Sequence, residues 1–352
     1  MSWGEAADPS PDGPIAAPET TAREFIMGQQ YSRHGFRSAT GAVAFAASAT
    51  LLAACGGGSS NDSSSDSTGT ASFSVTDAPV DKVNRVQITF DRIDLKPAEG
   101  EIQTIELEKP RTIENLLALQ GNNSEQILPD TTLPAGQYNW IRLFVIGGYP
   151  DSVVYEEMAG DAPLDLFVPG QQGNADRKNR FVQLSSPFRV PAGGSADFTI
   201  DIQLRKALTK PAKKNYYLLR PSLRLIDNSE SGTLVGEVDR NFQVASGISV
   251  NDGCGGPSIY VYETDDGDFT AGDIDSENEP LTTADLKAPA TGADSSNYTY
   301  EVGFLAAADY RVAVACADGD DPEAGGDEIP ISATKRVTVT AGDDLTVLDF
   351  GL

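Results

Sequence analysis

Alternation of apolar and polar residues with a period of two recurs between residues 71 and 350. Val86, Ile88 and Phe90 form one run; Ile141, Leu143 and Val145 form another, opposite Tyr138, Trp140, Arg142 and Phe144; Phe198, Ile200, Ile202 and Leu204 form a third. Successive side chains of a strand point to opposite faces, so each run predicts a strand with one buried face. Turn residues fall between the runs, at Leu133-Pro134-Ala135-Gly136 and Val190-Pro191-Ala192-Gly193-Gly194, where hairpins or sandwich corners need them. After a polar break at Asp227-Asn228-Ser229-Glu230-Ser231-Gly232 the alternation resumes at 259–262, 298–304, 310–316, 337–339 and 345–350. One short segment, 113–119, reads as helical, with Thr112 as N-cap and Gly121 as stop. The expected architecture is all-β: two antiparallel β-sandwich domains of the immunoglobulin/transthyretin type, over 71–228 and 231–352, behind a flexible tether.

The N-terminal region obeys a different pattern. Leu52-Ala53-Ala54-Cys55 follows an apolar, small-residue run at 42–51 and a short stretch carrying Arg33 and Arg37. That is the order of a secretory signal, and about a dozen apolar residues are too few to cross roughly 30 Å of hydrocarbon as a helix. Small residues directly before a cysteine resemble the lipobox of bacterial lipoproteins. The resemblance implies a diacylglyceryl thioether on Cys55 and an acylated (palmitate-type) α-amine, which together anchor the chain without a membrane span. Gly56 stands where an aspartate resembles an inner-membrane retention signal, so the expected address is the outer membrane of a Gram-negative cell. Residues 1–26 are acidic and Pro-rich where a signal should already have begun, which makes Met27 the expected start. Residues 27–54 are then the signal peptide. Residues 55–70, almost wholly Gly, Ser, Thr, Asn and Asp, behave as a flexible coil of about 20 Å root-mean-square span.

Composition narrows the chemistry. The single histidine, His34, leaves with the signal, which excludes Ser-His-Asp and Cys-His catalysis and leaves carboxylates as the available acids and bases. Cys254 and Cys316 then remain as one pair in an exported chain, either a disulfide or two buried thiols. The net charge of −26 is uneven: residues 71–228 carry 18 Lys and Arg against 20 Asp and Glu, whereas 229–352 carry 5 against 25. Such a balance excludes nucleic acid as a partner and gives no attraction to anionic lipid.

Phe73-Ser74-Val75-Thr76-Asp77-Ala78-Pro79, Val86-Gln87-Ile88-Thr89-Phe90, Ile93-Asp94-Leu95, Asn115-Leu116-Leu117-Ala118-Leu119 and Leu133-Pro134-Ala135-Gly136-Gln137-Tyr138 occur in that order. The series resembles domain-of-unknown-function family 4382 over 71–226. The resemblance implies an exported lipoprotein and supplies no reaction. Gly303-Phe304-Leu305 through Tyr310-Arg311-Val312 looks like the transthyretin-like or carboxypeptidase-regulatory sandwich. Leu133 and Leu305 each precede a tyrosine, Tyr138 and Tyr310, by the same spacing, as in the tyrosine corner of sandwich folds.

Several clusters invite chemistry. Asp265, Asp266 and Asp268 with Asp273 and Asp275 offer hard oxygen ligands for calcium, although no EF-hand order is present and a solvated acidic loop is the plainer reading. Asp77 before Ala78-Pro79 reads as a turn cap. Arg142 is placed to stack on Trp140 or Phe144, to pair with Asp201, or to line a sugar-binding face with Trp140 and Tyr138. Arg205, Lys206, Lys210, Lys213 and Lys214 form a positive patch suited to meeting the acidic second domain or to a solvated hairpin tip. The functional expectation is a lipid-anchored, non-catalytic envelope module binding a glycan or a protein. The alternative is a carboxylate-dependent hydrolase of envelope polymers, which requires two facing acids in a cleft, one with a raised pKa.

Overall fold

The computed structural model describes residues 67–157, 162–173, 179–264, 269–290, 296–320, 322 and 328–352. Cys55, the signal and most of the tether lie outside them, as do Asp265, Asp266 and Asp268. Residues Ser63–Leu352 form one compact unit. It contains two sandwiches, each with its own hydrophobic core.

The first sandwich begins with β1 (Thr68–Ala78), β2 (Val83–Pro97) and β3 (Gln103–Ile113), then a 3-10 turn at Leu116–Leu119. It continues with β4 (Glu125–Pro134), β5 (Gly136–Val145), β6 (Val153–Glu156), β7 (Leu164–Phe167), β8 (Phe181–Leu184), β9 (Phe188–Val190) and β10 (Ser195–Gln203). A helical turn α1 (Leu204–Ala207), β11 (Leu208–Thr209), β12 (Tyr216–Leu219) and β13 (Leu223–Asp227) complete it. One sheet runs β13-β10-β1-β4, and the other is built on β2 and β5 with β3, β6, β7, β8, β9, β11 and β12. Phe73, Tyr138, Phe188 and Phe198 pack between them, with Phe73 stacked on Phe198 at 5.3 Å and Tyr138 on Phe188 at 4.9 Å.

The second sandwich comprises β14 (Ser231–Val238), β15 (Pro257–Glu263), β16 (Thr282–Asp285), β17 (Tyr298–Ala306), β18 (Ala308–Cys316), β19 (Lys335–Val339) and β20 (Leu345–Val347). Its sheets run β17-β14-β20 and β16-β15-β18-β19. These seven strands repeat, in chain order, the pairings of β1, β2, β3, β4, β5, β9 and β10. Gly69 opposes Leu133, and Gly232 opposes Leu305. Tyr138 opposes Phe188, and Tyr310 opposes Val337. β10 runs parallel to β1, and β20 runs parallel to β14.

The backbone clasp that closes each sandwich is also the same. Ala135 N donates to Ser67 O (2.7 Å) and Gly193 N to Thr68 O (2.8 Å); Ala307 N donates to Glu230 O (2.9 Å) and Gly342 N to Ser231 O (3.0 Å). Glycine is required where the strands cross, because a Cβ would come within 2.1 Å of Pro191 O at Gly69 and within 2.1 Å of Thr340 O at Gly232. Both tyrosine corners form: the Tyr138 hydroxyl donates to Pro134 O (2.9 Å) and that of Tyr310 to Ala306 O (2.8 Å).

Two expectations need correction. The sheets are mixed, since the β1/β10, β7/β12 and β14/β20 ladders are parallel. The segment 113–119 is not a helix from Thr112 onward. Ile113 closes the β2/β3 ladder, and the Thr112 hydroxyl is engaged across it with Thr89 (2.9 Å). The short 3-10 turn is capped by Asn115, whose side chain accepts from Leu117 N at 3.2 Å.

Candidate functional site

The sandwiches meet along a seam where charge is concentrated. Arg205, on α1, is 2% exposed and reaches both halves: it bonds Asp81 of the first, and Asp285 (3.5 Å) and Ala317 O (3.4 Å) of the second. Lys206 pairs with Glu279 (3.1 Å) and Lys82 with Asp318 (3.1 Å). Gln203 Nε2 donates to Leu281 O (2.5 Å), and Thr233 Oγ1 donates to Asn122 Oδ1 (2.8 Å). Part of the positive patch therefore meets the acidic half. Lys210 instead stays within the first, on Glu156 at 2.5 Å.

One narrow pocket in the seam is lined by three carboxylates, those of Asp77, Asp201 and Asp285. Asp77, one residue before the end of β1, is 5% exposed, and neither of its oxygens has a hydrogen-bond partner. It caps no turn, contrary to expectation, because the strand turns its side chain inward. Burial holds its pKa well above the ordinary range and Asp201 and Asp285 raise it further. The Leu204 amide and Arg205 offset this only in part, the amide lying outside hydrogen-bond geometry. Asp201 accepts from Arg224 Nε (2.9 Å) and Nη2 (2.6 Å). The pocket over Asp77, Asp201 and Asp285 has a volume of about 20 Å³, space for about one water and too narrow for a sugar ring.

Two open grooves flank this point. The larger, about 830 Å³, is lined by Val80, Asp81, Lys82, Glu156, Lys210, Tyr217, Asp285 and Asp318 among others. The smaller, about 600 Å³, is lined by Lys206, Arg224, Tyr262, Phe269 and Glu279 among others. In the larger groove, burial would raise Glu156, but hydrogen bonds from Lys210 and from the Tyr217 hydroxyl (2.6 Å) outweigh it and hold its pKa below the ordinary range. Asp285 goes the other way: burial raises it, and Arg205 and Ser258 only partly offset this.

The remaining sequence candidates disperse. Cys254 and Cys316 are joined as a disulfide with Cα atoms 5.0 Å apart. Asp273 takes Ser276 N and Oγ on its carbonyl, and Asp275 sits in a left-handed turn at φ 78°. Among the described residues no three His, Cys, Asp or Glu groups come together as a metal cage. Part of the acidic loop is packed rather than solvated, since Asp320 accepts both the Tyr260 hydroxyl and Ile274 N (3.2 Å), and Ile274 is buried. Arg142 lies 4.0 Å from the Trp140 ring centroid and 4.3 Å from that of Phe181, with Nε on Gln183 (2.8 Å). It does not pair with Asp201, and its guanidinium occupies one face of the Trp140 ring. Tyr138 is fully buried at its corner. The seam residues Asp81, Glu156 and Asp285 carried no sequence signal, because each stands in a turn or at a strand end outside any motif.

The molecule is thus an all-β protein of two packed sandwiches with a charged seam. Residues 68–221, from β1 to just past β12, match the model of the family described as "Domain of unknown function (DUF4382)". No curated protein matches the chain. Among solved structures, a leucine-rich repeat protein from Bacteroides thetaiotaomicron is 12% identical, with 81% of this chain but 26% of that one covered and a TM-score of 0.17. The minor pilin of Streptococcus agalactiae is 10% identical over 79% of this chain and 94% of that one, at a TM-score of 0.16. The fimbrial anchor protein of Porphyromonas gingivalis is 8% identical over 78% and 100%, at 0.17. Likenesses at such TM-scores carry no argument about role. No helix among the described residues is long and apolar enough to cross a membrane.

Proposed function

We propose that the mature protein starts at Cys55, is lipid-anchored there to the outer membrane, and presents its two-sandwich body on the tether as a non-catalytic module that binds an envelope glycan or protein. The groove of about 830 Å³ along the seam carries this reading. Most of its charges are paired: Lys82 with Asp318, Lys210 with Glu156, and Asp81 and Asp285 with Arg205 behind them. Pairing fixes the shape of a concave polar surface and occupies the groups that acid–base chemistry would need free. Two measurements test it. Cys55→Ser should move the protein from the detergent phase to the aqueous phase and abolish fatty-acid labelling; retention of both would reject the anchor. Purified envelope glycans and envelope proteins should bind the wild type at least tenfold more tightly than Lys82→Glu/Lys210→Glu, and equal binding would reject the groove.

One observation favours the hydrolase as a second reading. Glu156, held ionised, and Asp285, pushed toward protonation, line the same groove, the split an acid and base pair requires. Release of reducing ends from envelope polysaccharide, lost in Glu156→Gln and Asp285→Asn, would establish it. No turnover by the wild type would remove it.

A further inference from the structure

The two sandwiches share seven strands but treat one edge differently. In the first, β13 adds antiparallel to the outer edge of β10, with Ile200 opposite Leu225 and Asp201 opposite Arg224. The corresponding strand of the second, β20, ends its sheet, and among the described residues no strand pairs with its other side. Leu348 N donates to Val235 O and Phe350 N to Glu237 O. Alternate residues of a parallel strand direct their backbone groups to opposite sides, so the amides and carbonyls of Leu345 and Val347 face the open edge. Lys335 Nζ reaches the Asp349 carbonyl and caps the far end.

Side chains along this edge differ as well. By the register of the two parallel ladders, Leu345 and Val347 occupy the places of Ser195 and Asp197. They point away from the core and are 57% and 63% exposed, and Leu352 beyond them is 67% exposed. Two of the five large exposed hydrophobic residues among those described thus lie on this one short strand. Unpaired backbone beside exposed apolar side chains is a template for another strand. The charges say which kind. Asp343 and Asp344 lead into the edge, and residues 229–352 carry 25 acids against 5 bases. A second copy pairing through β20 would bring like charges together, whereas a strand with basic residues is attracted. β13 itself, Leu223-Arg224-Leu225-Ile226-Asp227, shows the pattern an occupant takes at the equivalent edge.

We propose that the open edge of β20 accepts an extended segment of another protein, one that alternates apolar and basic residues and adds to the sheet as an antiparallel strand. The probe is a synthetic nine-residue peptide alternating Leu or Val with Arg, titrated against the full mature protein. Binding should slow amide exchange of Leu345 and Val347 at least tenfold and leave the β10 amides unchanged. A peptide with Glu in place of Arg should bind at least tenfold more weakly. Val347→Pro, which removes an edge amide without touching the β14 side, should abolish binding. Leu345→Ser/Val347→Ser keeps the backbone and should weaken binding at least tenfold with an unchanged melting curve, and it carries the test if the proline variant does not fold. The proposal is overturned by unchanged exchange, by equal binding of the basic and acidic peptides, or by a dimer that the double-serine variant converts to monomer, which would make a second copy the occupant.

Discussion

The first sandwich closes its seven shared strands and then adds six more, whereas the second closes the same seven and adds a disulfide. Both use one backbone clasp, one crossing glycine and one corner tyrosine, yet one half is nearly neutral and the other carries 20 acids in excess. The arrangement is therefore fixed by a few backbone contacts and tolerates opposite surface chemistry. What differs is how each half is reinforced. In the first, β6, β7, β8, β11, β12 and β13 extend the sheets. In the second, Cys254–Cys316 ties the turn before β15 to the end of β18 across 62 residues.

That comparison can be broken most severely through covalent and buried polar contacts. Reduction, or Cys254→Ser/Cys316→Ser, should cost the second sandwich about 4 kcal/mol by loop entropy. Residue-resolved amide exchange should show β15 and β18 losing protection while β1 and β10 keep theirs; equal loss would mean that the halves unfold as one. Arg205→Ala, which removes a buried cation joining Asp81, Asp285 and the Ala317 carbonyl, should cost about 3 kcal/mol in urea unfolding, and a loss under about 1 kcal/mol would show that the seam does not depend on it. Gly69→Ala and Gly232→Ala should each cost about 3 kcal/mol, because a backbone carbonyl blocks the methyl group and cannot swing away. Markedly unequal values would mean that the two crossings are not equivalent.

Smaller effects sharpen the parallel. Tyr138→Phe and Tyr310→Phe each remove one hydrogen bond and should cost about 1 kcal/mol in thermal melts. The pH response should also be shared, through Asp77 in the first half and Asp320 in the second. Both have raised folded-state pKa values, that of Asp320 reaching about 6, chiefly through burial. Above the unfolded value of about 3.9 the native state binds more protons than the unfolded chain, so stability falls as pH rises. For Asp320 the fall runs through pH 6 and levels off roughly one pH unit above it; for Asp77 it extends well above the ordinary carboxylate range. Asp77→Asn and Asp320→Asn should each flatten the curve in its own window, and an unchanged slope would contradict the assignment.

Much of the arrangement is legible in the residues. The runs at Val86, Tyr138, Phe198, Ile259 and Tyr310 lie in strands, except that Leu204 opens α1, and the break at 227–232 spans the junction of β13 and β14. The shared Leu-to-Tyr spacing pointed to the corners. A fuller sign of the repeat was also present, in Thr68-Gly69-Thr70 against Ser231-Gly232-Thr233 and Val190-Pro191-Ala192-Gly193 against Val339-Thr340-Ala341-Gly342. Those short matches gain meaning only when the strands that carry them are seen to cross. Asp77 was misread because a turn-like sequence says nothing about which sheet will later cover it.

Although β3, β4 and the short strands between β5 and β10 escaped it, the sequence by itself marked the strictly alternating strands β2, β5, β10, β15 and β18, their apolar faces and the polar break near residue 230. These follow from local geometry, since a strand exposes its two faces in alternation whatever its neighbours are. The tertiary structure alone decided that three ladders run parallel, that Asp77, Asp201 and Asp285 meet in one narrow pocket, and that β10 is covered while β20 is open. Each of these depends on contacts between segments far apart in the chain, where burial and long-range pairing set both the charge state of a carboxyl group and the availability of an edge.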